Sequence, residues 1–181
     1  NRGLAENVAG GDNDKIYGGD GNDTIWGDRG DDYIEGGAGN NIINAGEGND
    51  VVVWSGGNDI ADGGTGDDTF RFAYVGSENI TIVTTGPGDK SKGFGFSVVG
   101  FDSFELTGGN GNDYFEMGEN RYFNIFRGMG GNDHLIAYNF YSVDVLYGGS
   151  GNDTLEARSG GDYLYGEDGD DTFLSYGSGS S

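Results

Sequence analysis

The sequence predicts an all-β fold, a β-solenoid in which short parallel strands stack in coils of 18 residues. Three observations predict it. A nine-residue unit recurs in frame, without insertion, seven times from residue 9 to residue 71. Its eighth place is apolar in every copy: Ile16, Ile25, Ile34, Ile43, Val52, Ala61 and Phe70. Its sixth place always carries a side-chain oxygen: Asp14, Asp23, Asp32, Asn41, Asp50, Asp59 and Asp68.

Each unit divides into a turn and a strand. The first six places are rich in glycine, which bends the backbone through positive φ without a Cβ clash. The last three alternate out, in, out, as a strand does. Place 8 therefore points inward. Places 7 and 9 face solvent, as in Lys15 and Tyr17, Thr24 and Trp26, or Thr154 and Glu156. Two units close one coil, and successive coils pair as parallel strands.

The chain divides accordingly. Residues 1–8 form a leader, and 9–71 the first array. Residues 72–107 break the period. There Ile80-Thr81-Ile82-Val83 and Phe96-Ser97-Val98-Val99 read as strands, with a loop between them that holds the only proline, Pro87. Leu106 falls nine residues before Phe115, so the roll is expected to run through this segment with a loop extruded; two separate rolls are the alternative. Residues 108–174 form a second array, with acids at Asp113, Asp133, Asp153, Asp162 and Asp171. Two glycine-poor units with Asn124 and Asp144 at the sixth place interrupt it, each preceded by two extra residues, Met117-Gly118 and Ala137-Tyr138. Residues 175–181 read as a disordered tail.

Composition excludes several classes. The 40 glycines come with one proline and no period of three, so the chain is not collagen-like. A net charge of −22 repels a phosphate backbone and excludes nucleic acid as a partner. With no cysteine there is neither a disulfide scaffold nor a thiolate metal site. The longest clear apolar run is Val51–Trp54, too short for a membrane span, and no charged-then-apolar leader opens the chain. HExxH and GxSxG are absent. The acid pairs Asp31-Asp32 and Asp170-Asp171 recur with the repeat, which suits turn or ligand roles better than glycosidase chemistry. No catalytic set emerges, and the expectation is a non-enzyme.

Every eighteenth residue forms a column. One edge of the first array stacks Asp14, Asp32, Asp50 and Asp68; the other stacks Asp23, Asn41 and Asp59. Coils lie about 4.8 Å apart, and two bare carboxylates at about 5 Å repel by roughly 3 kcal/mol at an effective dielectric near 20. Two inward side chains per coil do little against the backbone entropy of 18 residues. A divalent cation between turns converts the repulsion into attraction, so folding is expected to be coupled to metal binding. The turns offer only oxygen, from carboxylates and carbonyls. Such sets suit calcium, which tolerates irregular geometry, better than magnesium or zinc.

In the second array, Asp113, Asp133, Asp153 and Asp171 stack in glycine-rich turns. Asn124, Asp144 and Asp162 stack in turns that mostly lack glycine. Calcium is expected on the first of these edges only, with the two-residue excess in the glycine-poor turns, packed by Tyr122, Phe123, Phe140 and Tyr141. His134, at an outward place 7, reads as a surface histidine.

The units match GGxGxDxUx, with U a large apolar residue, in blocks such as GGDGNDTIW, GGTGDDTFR and GGSGNDTLE. The chain thus resembles the RTX (repeats-in-toxin) family of calcium-binding repeats. The resemblance implies a right-handed parallel β-roll with calcium ions between stacked turns. It also implies the ligands: carbonyls of places 2 and 4 and the place-6 side chain from one turn, and carbonyls of places 1 and 3 with the place-6 side chain from the next coil. On the first edge this gives Gly10, Asp12 and Asp14 with Gly27, Arg29 and Asp32. Next come Asp28, Gly30 and Asp32 with Ala45, Glu47 and Asp50, and then Gly46, Gly48 and Asp50 with Gly63, Thr65 and Asp68. The opposite edge gives Gly19, Gly21 and Asp23 with Gly36, Ala38 and Asn41, then Gly37, Gly39 and Asn41 with Trp54, Gly56 and Asp59.

In the second array the same rule gives Gly109, Gly111 and Asp113 with Gly128, Gly130 and Asp133. Met129, Gly131 and Asp133 follow with Gly148, Ser150 and Asp153, and then Gly149, Gly151 and Asp153 with Gly166, Asp168 and Asp171. Roughly six to eight Ca²⁺ ions are implied. Asn41 keeps an oxygen but lacks the charge, so both sites that share it are expected to be weaker.

By the same resemblance, the chain is a calcium-dependently folding module of a larger secreted bacterial polypeptide, exported by type I secretion and folded outside the cell. The parent would be a toxin, an enzyme, an adhesin or a surface-layer protein. An adhesin or surface-layer module that binds a cell-surface glycan or protein is the alternative.

Overall fold

Three-residue strands can form only where the turns between them repeat, and the turns here do. In a computed structural model the chain is described over residues 11–83, 91–93, 96–118, 122–138, 142–158 and 160–176. The first strands in chain order are β1 (Lys15–Tyr17), β2 (Thr24–Trp26), β3 (Tyr33–Glu35), β4 (Ile42–Glu47), β5 (Val51–Val53), β6 (Asp59–Thr65), β7 (Thr69–Ala73), β8 (Thr81–Val83) and β9 (Ser91–Gly93). They are followed by β10 (Phe96–Val99), β11 (Ser103–Thr107), β12 (Tyr114–Met117), β13 (Ile125–Gly130), β14 (His134–Ala137), β15 (Val145–Ser150), β16 (Thr154–Ala157), β17 (Tyr163–Asp168) and β18 (Thr172–Ser175). The described residues hold no helix, and hence none long and apolar enough to cross a membrane. The fold class is the all-β, parallel β-roll that the period predicts.

Two compact units are present, Asn1–Phe72 with Pro87–Ser103, and Ala73–Gly86 with Phe104–Ser181. In the first, β1, β3, β5 and β7 pair in parallel, and so do β2, β4, β6 and β10. Partners are offset by 18 residues through β7, as in Ile16↔Ile34 and Ile25↔Ile43. β9 runs antiparallel to β10, with Phe96 opposite Gly93. The inward column Ile25, Ile34, Ile43, Val52, Ala61 and Phe70 is buried. It ends on an aromatic cluster in which the Phe70 ring lies 4.8 Å from Phe96 and 5.4 Å from Phe101.

In the second unit, β8, β12, β14, β16 and β18 form one parallel series, and β11, β13, β15 and β17 another. Here the offset is 20 for Tyr114↔His134 and Ile125↔Val145, and returns to 18 at Thr154↔Thr172. The extra residues follow β12 and β14, on the glycine-poor side. Leu106, Phe115, Phe126, Leu135, Leu146 and Leu155 fill the core. On the glycine-poor side Met117, Ala137 and Ala157 are buried too. Glu156, read from the alternation as solvent-facing, is buried; its Oε2 lies 3.9 Å from His134 Nε2 on the neighbouring strand. Tyr122 is half-buried and Phe123 exposed.

Several sequence expectations fall outside the described residues: the leader 1–8, Gly10, most of the 84–95 loop, Phe140, Tyr141 and the end of the tail.

Candidate metal sites

The turns set the place-6 side chains in register. Asp14 N donates to Asp32 Oδ1 (2.8 Å), Asp32 N to Asp50 Oδ1 (2.8 Å) and Asp50 N to Asp68 Oδ1 (2.8 Å). On the opposite edge Asp23 N donates to Asn41 Oδ1 (3.0 Å), and Asn41 N to Asp59 Oδ1 (2.8 Å). In the second unit Asp113 N donates to Asp133 Oδ1 (2.7 Å), Asp133 N to Asp153 Oδ1 (2.8 Å) and Asp153 N to Asp171 Oδ1 (3.0 Å). Asp32, Asp50, Asp59, Asp68, Asp133, Asp153 and Asp171 thus each spend one oxygen on the amide of the coil before, which fixes the rotamer and aims the second oxygen.

That second oxygen tests whether a cation fits. Oδ2 of Asp14, Asp23, Asp32, Asp50, Asp68, Asp133 and Asp153 is buried and accepts no hydrogen bond. Water would satisfy an exposed carboxylate oxygen; a buried unpaired one is strongly disfavoured. Repeated along the column from Asp14 to Asp68, and at Asp133 and Asp153, the orphan points to a positive partner of the right size. On several coils place 1 must be glycine for the same reason. A Cβ on Gly27 would collide with Asp32 Oδ2 and with the Ala45 carbonyl. Gly128, Gly148 and Gly166 face Oδ2 of Asp133, Asp153 and Asp171 in the same way.

The carbonyls implied by the resemblance line the same turns, and some also bridge coils. Gly19 O accepts from Ala38 N (2.9 Å), and Ala38 O from Gly21 N (2.8 Å). Asp28 and Glu47, Gly30 and Glu47 repeat that exchange. A carbonyl has two lone pairs, so one hydrogen bond leaves capacity for a cation. The side chains of Arg29 and Glu47 pair with each other in solvent (3.3 Å), leaving only their backbone to the site. Place 2 holds its carbonyl with a left-handed φ even where it is not glycine, at Asp28 (73°), Met129 (78°) and Glu167 (70°). Among the described residues no three His, Cys, Asp or Glu side chains cluster. Two carboxylates completed by carbonyls suit calcium, a hard cation that takes six or more oxygens, and not zinc.

Three features escaped the sequence reading. Place 5 forms its own ladder: Asn13 Oδ1 accepts from Asp31 N (2.9 Å), Asn22 from Asn40 N (2.8 Å) and Asn132 from Asn152 N (2.8 Å). The recurrence of Asn or Asp there was a signal. Asp102 extends the first column, its Oδ2 accepting from Asp68 N (3.2 Å) while Asp68 O accepts from Asp102 N (3.0 Å). In the second unit Ile80 occupies the place-6 position beside Asp113, donating its N–H to Asp113 Oδ1 (2.8 Å). The edge of Asn124, Asp144 and Asp162, expected to be metal-free, also carries a buried, unpaired Asp144 Oδ2.

Burial raises these carboxyls, with like charge adding. Asp68 and Asp133 are pushed up to about 7, first by desolvation and then by Asp50 and Asp113 respectively. Asp50 is pushed up to about 6 by burial and by Asp32. Asp32, Asp59, Asp113 and Asp153 are raised, chiefly by burial. The metal-free folded chain therefore holds more protons than the unfolded chain between the ordinary carboxyl value of 3.8 and about 7. Its stability is fully present below that window and is lost as pH rises through it. In chelator, far-UV circular dichroism should show more β structure at pH 4.5 than at pH 7.5. Millimolar calcium should remove or reverse the difference. Metal-free β structure that increases with pH would contradict the sign.

Asn41 supplies the converse test. It is buried, and its Nδ2 donates to Gly37 O (3.3 Å). Asn41→Asp restores a charge to two adjacent sites. It should lower the calcium midpoint of folding by roughly an order of magnitude, as added ligand charge does, while destabilising the chain in chelator. Parallel calcium titrations of the two proteins check this.

The family model of the RTX calcium-binding nonapeptide repeat (4 copies) matches residues 8–34, 17–52, 55–71, 105–119 and 140–173, more than half of the chain. The turn around Asp133 and the segment 72–104 lie outside these matches. Comparison with the curated proteins and with the solved structures finds no match.

Proposed function

The chain belongs to the RTX calcium-binding nonapeptide repeat family, and from that premise we propose that it is a non-catalytic module whose folding waits for calcium. The observation that carries the reading is the column of buried carboxylates, each with one oxygen tied to a neighbouring amide and the other unpaired. Bound calcium supplies the positive charge that makes such a column favourable. The chain's own residues do the rest. Asp Oδ1 sets the register of adjacent coils, Oδ2 and the turn carbonyls offer a prepared oxygen set, and place-1 glycines keep the space open. Without a counter-charge the columns repel, and a net charge of −22 expands the chain.

Such a switch suits a bacterial protein that leaves the cell unfolded, by type I secretion, and folds where calcium is plentiful. Asp32 and Asp171 are committed to amides of the coil before, and Asp31 to the Asn49 amide of the coil after, which supports a structural rather than a catalytic role. Roughly six to eight ions would be bound, in the sites laid out above. Far-UV circular dichroism tests the proposal. At pH 7.5 the chain should be unfolded at submicromolar free calcium and gain a β spectrum cooperatively at millimolar calcium. Equal β content in chelator would refute it.

A further inference from the structure

One face of the second unit carries outward side chains that the calcium sites do not use, above turn backbone that they share. Arg127, Tyr147 and Tyr165 are place-9 residues on β13, β15 and β17 and project outward in register, Arg127↔Tyr147↔Tyr165. Tyr147 stacks on Tyr165 with centroids 4.9 Å apart and planes 11° from parallel. The Arg127 guanidinium covers the other side of Tyr147, 5.3 Å from its centroid. Beside this stack runs an open groove of about 650 Å³, lined by Arg127, Tyr147, Met129, Glu167 and Asp168. That volume is in the range of small-molecule sites, roughly 300–1,000 Å³.

The sequence enforces the groove. Its floor is Gly148 and Gly149, which stand between the larger Met129 and Glu167 at the equivalent place on neighbouring coils. A Cβ on Gly149 would run into the Met129 carbonyl, so no side chain can fill the gap.

The polar groups select the ligand. Arg127 offers only donors, Glu167 and Asp168 only acceptors, and the Ser150 hydroxyl both. An anionic ligand would meet two carboxylates in a chain of net charge −22. A cationic one would meet Arg127, which among the described residues has no carboxylate partner. A neutral polyhydroxyl ligand satisfies both ends, since each hydroxyl can accept from guanidinium and donate to carboxylate. We propose that the groove bounded by Arg127, Tyr147 and Glu167 binds a neutral oligosaccharide, a function beyond calcium-dependent folding.

Isothermal titration of the full chain in millimolar calcium tests this. The probes are six-unit oligomers of glucose, xylose and mannose, with galacturonate and glucosamine oligomers as the charged comparison. At least one neutral oligomer should bind, and more tightly than either charged one. Arg127→Gln and Glu167→Gln should each weaken binding by about tenfold or more, with unchanged melting in the same buffer. Tyr17→Ala, at place 9 of β1 in the first unit, should bind as the parent does. No binding of any neutral oligomer at millimolar concentration would overturn the proposal. So would tighter binding of a charged oligomer, or binding indifferent to both groove substitutions.

Discussion

Asp50→Asn is expected to raise the calcium concentration needed for folding by at least an order of magnitude while leaving the chain no less stable in chelator. Asp50 lies mid-column, its Oδ1 accepting from Asp32 N (2.8 Å) and its own N–H donating to Asp68 Oδ1 (2.8 Å). An asparagine keeps the carbonyl acceptor, so the register bond survives. What it removes is the charge behind the orphan Oδ2, which is buried and has no donor. Asp50 belongs to the site below it and to the site above it, so both lose a unit of ligand charge, and affinity in oxygen sites follows charge count. Without calcium the same change relieves a buried anion that sits against Asp32 and is pushed up to about 6 by its surroundings. The two effects have opposite signs. A merely structural aspartate would give one sign in both buffers, so paired titrations of parent and variant separate the two cases.

Gly48→Ala is expected to cost about 3–5 kcal/mol in calcium, from backbone strain of about 1–3 kcal/mol and overpacking of similar size. Gly48 has φ of +138°, and a Cβ there would run into the carbonyl of Gly30 on the coil before. That carbonyl belongs to a proposed calcium site, so the methyl group would push apart two coils and a ligand together. Gly56→Ala is the control. Its φ is +124°, but a Cβ would meet nothing within 4 Å. It should lose only the strain, about 1–3 kcal/mol. Denaturant melts in saturating calcium measure both, and equal losses would show that close coil approach is unimportant.

The periodic part of the molecule was legible because two constraints fall on the same frame. Place 8 must fill a core, and place 6 must hold a charge at an edge, so Ile34 with Asp32, or Leu155 with Asp153, fix the register wherever they recur. The place-5 ladder was equally periodic, but Asn and Asp are also common in ordinary turns, so composition could not separate the roles. Asp102 was not legible. It stands 34 residues beyond Asp68, and only the fold brings its carboxylate to the Asp68 amide. Glu156 shows the limit of alternation. Place 9 is exposed at Tyr17, Trp26 and Tyr165, but β16 lies on the glycine-poor side and is buried from Leu155 through to Ala157. Asp144 shows another limit. Poverty in glycine argued for a metal-free edge, yet Asp144 is buried there with its Oδ2 unpaired, as on the other edge.

The most direct measurement is an anomalous difference map from crystals grown in millimolar calcium. Peaks should lie between consecutive coils beside Asp32, Asp50, Asp68, Asp133 and Asp153, within about 2.3–2.6 Å of their free Oδ2 atoms and of turn carbonyls. A well-ordered roll with no peak along these columns, its aspartates protonated or hydrated instead, would contradict the claim that cations hold the coils together.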